Sequence, residues 1–263
     1  MMTEILVLLI CFGASVIGAV CGIGGGVIIK PLLDAVGIYD AATISFLSGC
    51  TVLSMSTYSV VRSRLGGHSQ IDGKVGFPLA VGAAAGGLAG KTIFAYVKSL
   101  CGDSDRLGQI QAICLLLVTV GTLLYTLRKE HIATRHITNV LASAVIGGGL
   151  GLLSSFLGIG GGPINLVVLY YFFSMGTKAA AENSLYIIFF SQLASLLTSL
   201  VSRSVPVFGA GILLCMVAGG IFGGICGRSW NRKLKERSVE LLFMGCMAAI
   251  ILINIYNIVR LRG

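Results

Sequence analysis

GIGGGV at residues 22–27 recurs as GIGGGP at residues 158–163. Each copy ends one apolar stretch and is followed by a shorter apolar stretch, so each interrupts a hydrophobic segment. Interrupted segments at corresponding positions in two halves of a membrane protein are the best sequence pointer to a transport site. The repetition therefore predicts two related halves, with a binding site where the two interruptions meet.

The composition indicates a protein of the lipid bilayer. Hydrophobic residues make up 56% of the 263 residues and charged residues only 11%, whereas about a quarter of a soluble domain is charged. The net charge of +9 does not indicate a nucleic-acid partner, because the basic residues cluster in short loops between apolar runs, as they do in cytoplasmic loops. No Lys or Arg precedes the first apolar run, which favours a retained span over a cleaved signal peptide.

Eight apolar runs are long enough to cross a bilayer, which takes about 17–25 residues. They cover residues 5–21, 40–61, 75–97, 107–127, 137–156, 178–202, 206–227 and 238–259. Two shorter runs, 27–37 and 163–175, follow the glycine clusters and are predicted to form half-length helices. Each short helix either returns to its own side of the membrane or completes a crossing.

Three basic loops distinguish these alternatives, because Lys and Arg concentrate on the cytoplasmic side. With eight crossings, no orientation places all three loops in the cytoplasm. With ten crossings and the amino terminus outside, all three lie inside and Lys178 joins them, so twelve of the nineteen basic residues are cytoplasmic. The loop residues are Arg62, Arg64, Lys74, Arg128, Lys129, Arg135, Arg228, Arg232, Lys233, Lys235 and Arg237.

Five crossings per half invert the second half relative to the first. We therefore predict an all-α polytopic membrane protein of two inverted repeats, each with four long transmembrane helices and one short broken helix. The first repeat covers residues 1–127, a cytoplasmic linker covers 128–136, and the second repeat covers 137–263.

Two further pairs of segments match between the halves. Residues 37–45 align with residues 176–184, and residues 86–91 align with residues 223–228. The second pair belongs to ladders of glycines four residues apart, which lie on one helix face and let helix backbones approach closely. We predict that these ladders pack helices together.

The glycine clusters themselves are suited to bind an anion. Glycine tolerates positive φ and lets a ligand reach the backbone, and a helix that restarts after the break directs unpaired N–H groups and its positive dipole end at the break. The alternative is that the glycines only allow tight helix crossings. The candidate binding residues are Gly24, Gly25, Gly26, Lys30, Gly160, Gly161, Gly162, Asn165, Ser45 and Ser184.

Three polar residues near the breaks each have two interpretations. Lys30 is predicted either to bind the anion or to pair with Asp34 or extend to the interface. Asn165 offers an amide donor to the anion or to a neighbouring helix. Glu182 is predicted either to carry a coupling proton or to act as an interfacial charge at a helix start. The sequence indicates no cofactor and no metal, because no ligand spacing of either kind is present.

The paired GIGGG motifs, each between a span and a short apolar helix, resemble the TauE/SafE family, also called the toluenesulfonate uptake permease family. Pro31-Leu32 completes the family's signature in the first copy, whereas the second copy has Pro163 directly after its glycines. The resemblance covers essentially the whole chain. It implies a multi-pass carrier of the bacterial inner membrane that transports small sulfur-containing anions such as sulfite or sulfonates.

Three classes of function follow from these observations. The first is a secondary transporter that works by alternating access of the two halves around the glycine clusters. The second is a passive anion channel, which the sequence does not separate from a carrier. The third, an intramembrane enzyme, is disfavoured because the histidines (His68, His131 and His136) lie in predicted loops and Glu182 stands alone near a span.

Overall fold

A computed structural model describes residues 2–65, 73–101 and 104–260. Within these residues the chain forms ten α-helices, with a 3₁₀ turn at Lys129–His131. The helices are α1 (Met2–Cys21), α2 (Gly26–Val36), α3 (Ala41–Leu65), α4 (Gly73–Cys101), α5 (Ser104–Arg128), α6 (Val140–Leu157), α7 (Pro163–Phe173), α8 (Thr177–Val201), α9 (Ala210–Lys233) and α10 (Glu236–Arg260).

The predicted all-α membrane architecture is confirmed. Eight of the described helices are long and apolar enough to cross a membrane. The other two, α2 and α7, have 11 residues each, or about 16 Å of helix at ~1.5 Å per residue, which is about half of a bilayer core. The helix α7 begins directly after its glycine cluster, as predicted, and α2 begins one residue earlier than predicted, at Gly26, the last glycine of its cluster.

The helices α1, α3 and α9 run in the same direction. A β-carbon placed on Gly219 would lie 3.0 Å from the carbonyl oxygen of Leu8, and one placed on Gly223 would lie 2.6 Å from that of Phe12. The residues of α1 and α9 are thus paired in the same order, so the two helices are parallel. The residues of α3 and α9 are also paired in the same order, because Gly220 contacts Thr51 and Arg228 contacts Ser59.

The helix α2 connects two long helices, α1 and α3, that share a direction. Two parallel helices that are consecutive long spans require the chain to return between them, and α2 makes this return. Gly25 lies against Ser15 of α1, whereas Leu33, further along α2, lines the same small cavity as Val7 near the start of α1. The helix α2 therefore runs antiparallel to α1.

The second half shows the corresponding arrangement. The helix α6 packs along α4 in the same direction, with Ala144 beside Gly82 and Gly148 beside Gly86. The first helix of each half thus packs most extensively on a helix of the other half, α1 on α9 and α6 on α4. The counterparts α3 and α8 run in opposite directions, since Gly49 contacts Gln192 and Arg64 lies over the ring of Tyr186.

The glycine ladders pack these interlocked pairs, as predicted. Along α4, β-carbons on the three ladder glycines would overlap carbonyl oxygens of α6. Along α9, β-carbons on the three ladder glycines would lie no more than 3.0 Å from carbonyl oxygens of α1, closer than an ordinary van der Waals contact. Such close backbone approach is how membrane helices gain van der Waals contact where lipid offers no hydrophobic driving force. The ladders are Gly82, Gly86 and Gly90, and Gly219, Gly223 and Gly227.

The helix ends differ from the predicted runs on the basic side. The helix α9 continues to Lys233 and so includes Arg228 and Arg232, which the sequence placed in a loop. Likewise α3 continues through Arg62 and Arg64. Helices extend past the apolar core here because long basic side chains reach the interface while their stems stay against apolar surface. His68 lies outside the described residues.

Candidate functional site

The two glycine clusters form chain breaks with matching backbone geometry. Gly22 and Gly158 have φ of +75° and +65°, and Gly24 and Gly160 have φ of +72° and +69°. Residues other than glycine adopt this left-handed region only at a cost. The repeated spacing of the glycines in the two motifs therefore reflects a repeated backbone conformation.

The two breaks touch each other in the middle of the protein. A β-carbon placed on Gly26 would overlap the carbonyl oxygen of Ile159, and one placed on Gly24 would lie 3.5 Å from the carbonyl oxygen of Gly160. Val52 of α3 and Ile188 of α8 pack against both breaks. The structure thus brings together the two clusters that the sequence predicted would face each other, and all their glycines are buried.

Both breaks carry backbone N–H groups without a backbone partner. In the part of the chain that the structure describes, no backbone carbonyl accepts from the N–H groups of Gly25, Gly26, Val27, Gly160, Gly161 or Gly162. A buried N–H group that remains unpaired costs free energy. Such groups at a helix start are suited to hold a negative charge.

Polar side chains surround the first break. The hydroxyls of Ser15 and Ser48 are buried and have no hydrogen-bond partner among the described residues. They lie 3.0 Å and 2.9 Å from β-carbons placed on Gly25 and Gly26. Ser15 is not among the site residues predicted from the sequence. The sequence feature that could have identified it is a hydroxyl side chain inside an apolar span, one helical turn before Gly18.

The predicted site residues of α3, α7 and α8 lie close to the second break. The Asn165 amide donates to the Ser184 hydroxyl at 3.3 Å, and the Asn165 carbonyl oxygen makes no hydrogen bond among the described residues. Ser45 packs against Gly158, and its hydroxyl donates to the carbonyl oxygen of Ala41 at 2.7 Å. Asn165 therefore has acceptor capacity left, while the Ser45 proton is engaged by its own helix.

Lys30 pairs with Asp34 within α2. The distance from Nζ to Oδ2 is 3.1 Å, and the two side chains are 3% and 14% exposed. The structure thus shows the pairing that the sequence left as an alternative to anion binding. Lys30 lies one helical turn past Gly26, on the short helix that starts at the break.

We expect Asp34→Asn to lower the free energy of unfolding by about 1–3 kcal/mol, because it leaves the Lys30 ammonium buried without its partner. Lys30→Met should cost less, since the carboxylate that it strands is the more exposed member of the pair. The double variant should lose about 0.5–3 kcal/mol less free energy of unfolding than the sum of the two single losses, because the two residues interact. Melting temperatures of the four proteins in detergent measure this cycle. Strictly additive losses would show that the pair contributes nothing.

Two cavities lie apart from the glycine clusters. The Arg228 cavity, of about 380 Å³, is lined by Ser59, Lys178, Ala181, Glu182, Arg228 and Arg232 among others. The Lys91 cavity, of about 510 Å³, is lined by Ala42, Phe46, Lys91, Lys98, Thr198 and Ser202 among others. Neither lining includes a residue of the glycine clusters, so the described conformation is closed at the breaks.

Glu182 lies in the Arg228 cavity rather than at the glycines. Its carboxylate is 4.0 Å from the guanidinium of Arg228, with side chains 16% and 15% exposed. The preceding residue, Ala181, packs against Gly22. Glu182 is therefore one residue from a contact with the first break. No cluster of three His, Cys, Asp or Glu side chains suited to a metal occurs among the described residues.

Comparisons with known proteins agree on one class. Residues 7–253 match the family model described as sulfite exporter TauE/SafE. The chain is 24% identical over 274 residues to the probable membrane transporter protein YunE of Bacillus subtilis (strain 168). This alignment covers 91% of this chain and 96% of that protein. It is 32% identical over 116 residues, 41% of this chain and 18% of the relative, to the probable membrane transporter protein MamO of Magnetospirillum gryphiswaldense. No solved structure gives a significant match.

Proposed function

Because the chain belongs to the sulfite exporter TauE/SafE family, as its motifs predicted, we propose that this multi-pass membrane transporter moves small sulfur-containing anions, with sulfite or small sulfonates as its substrates. It does so as a secondary transporter, with the anion bound between the two glycine breaks. The protein acts as a carrier rather than as an enzyme. No cofactor takes part.

The meeting of the two breaks is the observation that carries this proposal. Two short helices start at the breaks, and the breaks touch through Gly26 and Ile159. Unpaired N–H groups at both helix starts, together with the positive ends of two helix dipoles, favour a small anion without a full positive charge beside it. An oxyanion bound in this way is released more readily than one held by a buried ion pair, which suits turnover.

Alternating access explains why the anion site is closed in this conformation. The two cavities lie toward opposite ends of α3, where Ser59 lines one and Ala42 the other, and neither lining includes a glycine of the breaks. In the proposed cycle, two inverted repeats, residues 1–127 and 137–263, rock against each other and open one cavity at a time to the breaks. Val52 and Ile188, which pack on both breaks, move aside as each path opens. Glu182 is the candidate for proton coupling.

We expect purified protein in liposomes to take up radiolabelled sulfite with saturable kinetics, because each turnover requires one binding event. Liposomes preloaded with unlabelled sulfite should show counterflow, since a carrier exchanges bound anions. Protein-free liposomes give the background, and chloride and sulfate test selectivity. Sulfite flux that neither saturates nor shows counterflow would identify a channel. Counterflow with another anion but not with sulfite or sulfonates would overturn the substrate class alone.

A further inference from the structure

We propose that the Arg228 cavity and the Lys91 cavity are two equivalent capture sites for the transported oxyanion, one at each mouth of the pathway, with Arg228 and Lys91 as the binding residues. This inference rests on the proposed function. It adds two sites outside the glycine breaks and assigns a role to two basic residues that the anion site does not use.

The two cavities lie toward opposite ends of the same helix. Ser59, near the end of α3, lines the Arg228 cavity, whereas Ala42, near its start, lines the Lys91 cavity. The 17 positions from Ala42 to Ser59 span about 25 Å of helix at ~1.5 Å per residue. That separation approaches the thickness of a bilayer core, which is about 30 Å. The two cavities therefore serve opposite faces of the membrane.

The linings of the two cavities share two positions that the internal repeat aligns. Ala42 and Ala181 occupy the same position in the aligned segments 37–45 and 176–184. Lys91 and Arg228 occupy the last position of the aligned segments 86–91 and 223–228. The cavities are thus two copies of one feature, and each copy retains a basic residue at the same place.

Both cavities have a positive balance of charge. Lys178, Arg228 and Arg232 line the first against one acidic residue, Glu182. Lys91 and Lys98 line the second, which has no acidic residue among its described lining. A cleft lined by one sign of charge and walled by low-dielectric material raises the local concentration of the opposite ion. Both cavities, at about 380 and 510 Å³, are also of the size of small-molecule sites, roughly 300–1,000 Å³.

Arg228 is held in place but retains donor capacity. One terminal nitrogen donates to the carbonyl oxygen of Ser59 at 2.9 Å. Another stands 4.0 Å from the Glu182 carboxylate, beyond hydrogen-bond distance. The Nε–H group has no hydrogen-bond partner among the described residues. A guanidinium with free donors binds an oxyanion through parallel hydrogen bonds.

Lys91 is similarly available in the second cavity. Its ammonium lies over the ring of Phe94, 5.0 Å from the centroid. Among the described residues it makes no ion pair and no hydrogen bond. A half-buried ammonium that lies over an aromatic ring without an ion pair retains its capacity to bind an anion.

Charge removal and restoration at the two residues test the proposal. In a background lacking the eight native cysteines, Arg228→Cys and Lys91→Cys are each reconstituted and assayed for the KM of radiolabelled sulfite. We expect a rise of about tenfold in each, equivalent to about 1.4 kcal/mol of binding. Alkylation with bromoethylamine, which adds a positive charge through a bond that sulfite does not cleave, should restore most of the affinity. Lys233→Cys and Lys74→Cys, exposed positions on the same helices, should leave the KM unchanged.

The sidedness of the two sites supplies an independent readout. A membrane-impermeant maleimide should modify the Arg228→Cys and Lys91→Cys variants from opposite faces of oriented vesicles, which we follow by mass spectrometry. Modification of both from one face, an unchanged KM in both variants, or a loss that alkylation does not reverse would each overturn the inference while leaving the proposed function intact. Absence of sulfite flux in the unmodified protein would overturn the proposed function, and this inference with it.

Discussion

Gly26→Ala is expected to reduce sulfite transport to background and to lower the melting temperature. The added β-carbon would overlap the carbonyl oxygen of Ile159 and lie 2.9 Å from the Ser48 hydroxyl. The first obstacle is backbone of the opposite break, which cannot rotate away as a side chain does. The two breaks must therefore separate, at a cost of about 1–3 kcal/mol or more. Flux in liposomes and melting curves in detergent measure the two effects.

Two other alanine substitutions provide matched controls for Gly26→Ala. Gly162 has an extended backbone with φ of −164°, and its nearest contact is the flexible end of the Ile159 side chain at 3.3 Å. Gly13, on α1, has open space around it. Both variants should transport sulfite. A Gly26→Ala protein with the flux and melting temperature of Gly162→Ala would show that close contact between the breaks is not needed.

Gly86→Ala is expected to cause a large loss of stability at the interface between α4 and α6. Its β-carbon would overlap the carbonyl oxygen of Gly148 and would lie 2.9 Å from the backbone nitrogen of Leu152. The two helices must then move apart along a contact that joins the halves of the protein. A single overpacked side chain lowers the free energy of unfolding by about 1–3 kcal/mol. Because neighbouring ladder glycines share the contact, we expect the loss from Gly86→Ala to exceed that range. The measurement is the melting temperature, with size-exclusion chromatography to detect aggregation.

Gly149→Ala, on the same pair of helices, is expected to leave the stability unchanged or to raise it. Gly149 is exposed on α6, and no atom lies within 4 Å of its would-be β-carbon. Alanine favours the helix by up to about 1 kcal/mol over glycine, so this variant should match or exceed the parent in melting temperature. Equal losses from Gly86→Ala and Gly149→Ala would indicate that glycine acts through helix flexibility, not through close packing.

The sequence predicted the helices because hydropathy is a local property. Every long run and both short runs correspond to a helix in the structure, within a few residues at most ends. The largest differences lie where basic residues extend a helix beyond its apolar run, as Arg228 does in α9. A long charged side chain reaches the interface from a helical backbone, so charge alone does not mark the end of the helix.

The sequence was less informative about side-chain partners. The spacing of Lys30 and Asp34 allowed a pair, but only the structure shows that the ammonium is engaged by that carboxylate. The free hydroxyl of Ser15 becomes notable only because the chain folds back and sets Gly25 beside it. Arg228 and Lys91 could be aligned through the repeat, yet their cavities are built by helices from both halves.

The sequence by itself determined the membrane architecture, the positions of the two breaks and the residues that form them, because apolar length, glycine content and charge are written along the chain. The tertiary structure alone decided that α1 packs on α9 and α6 on α4, and that the breaks touch through Gly26 and Ile159. The contacts between α1 and α9 and between the two breaks join residues more than a hundred positions apart. They depend on how closely whole helix faces fit together, and no local pattern encodes that fit.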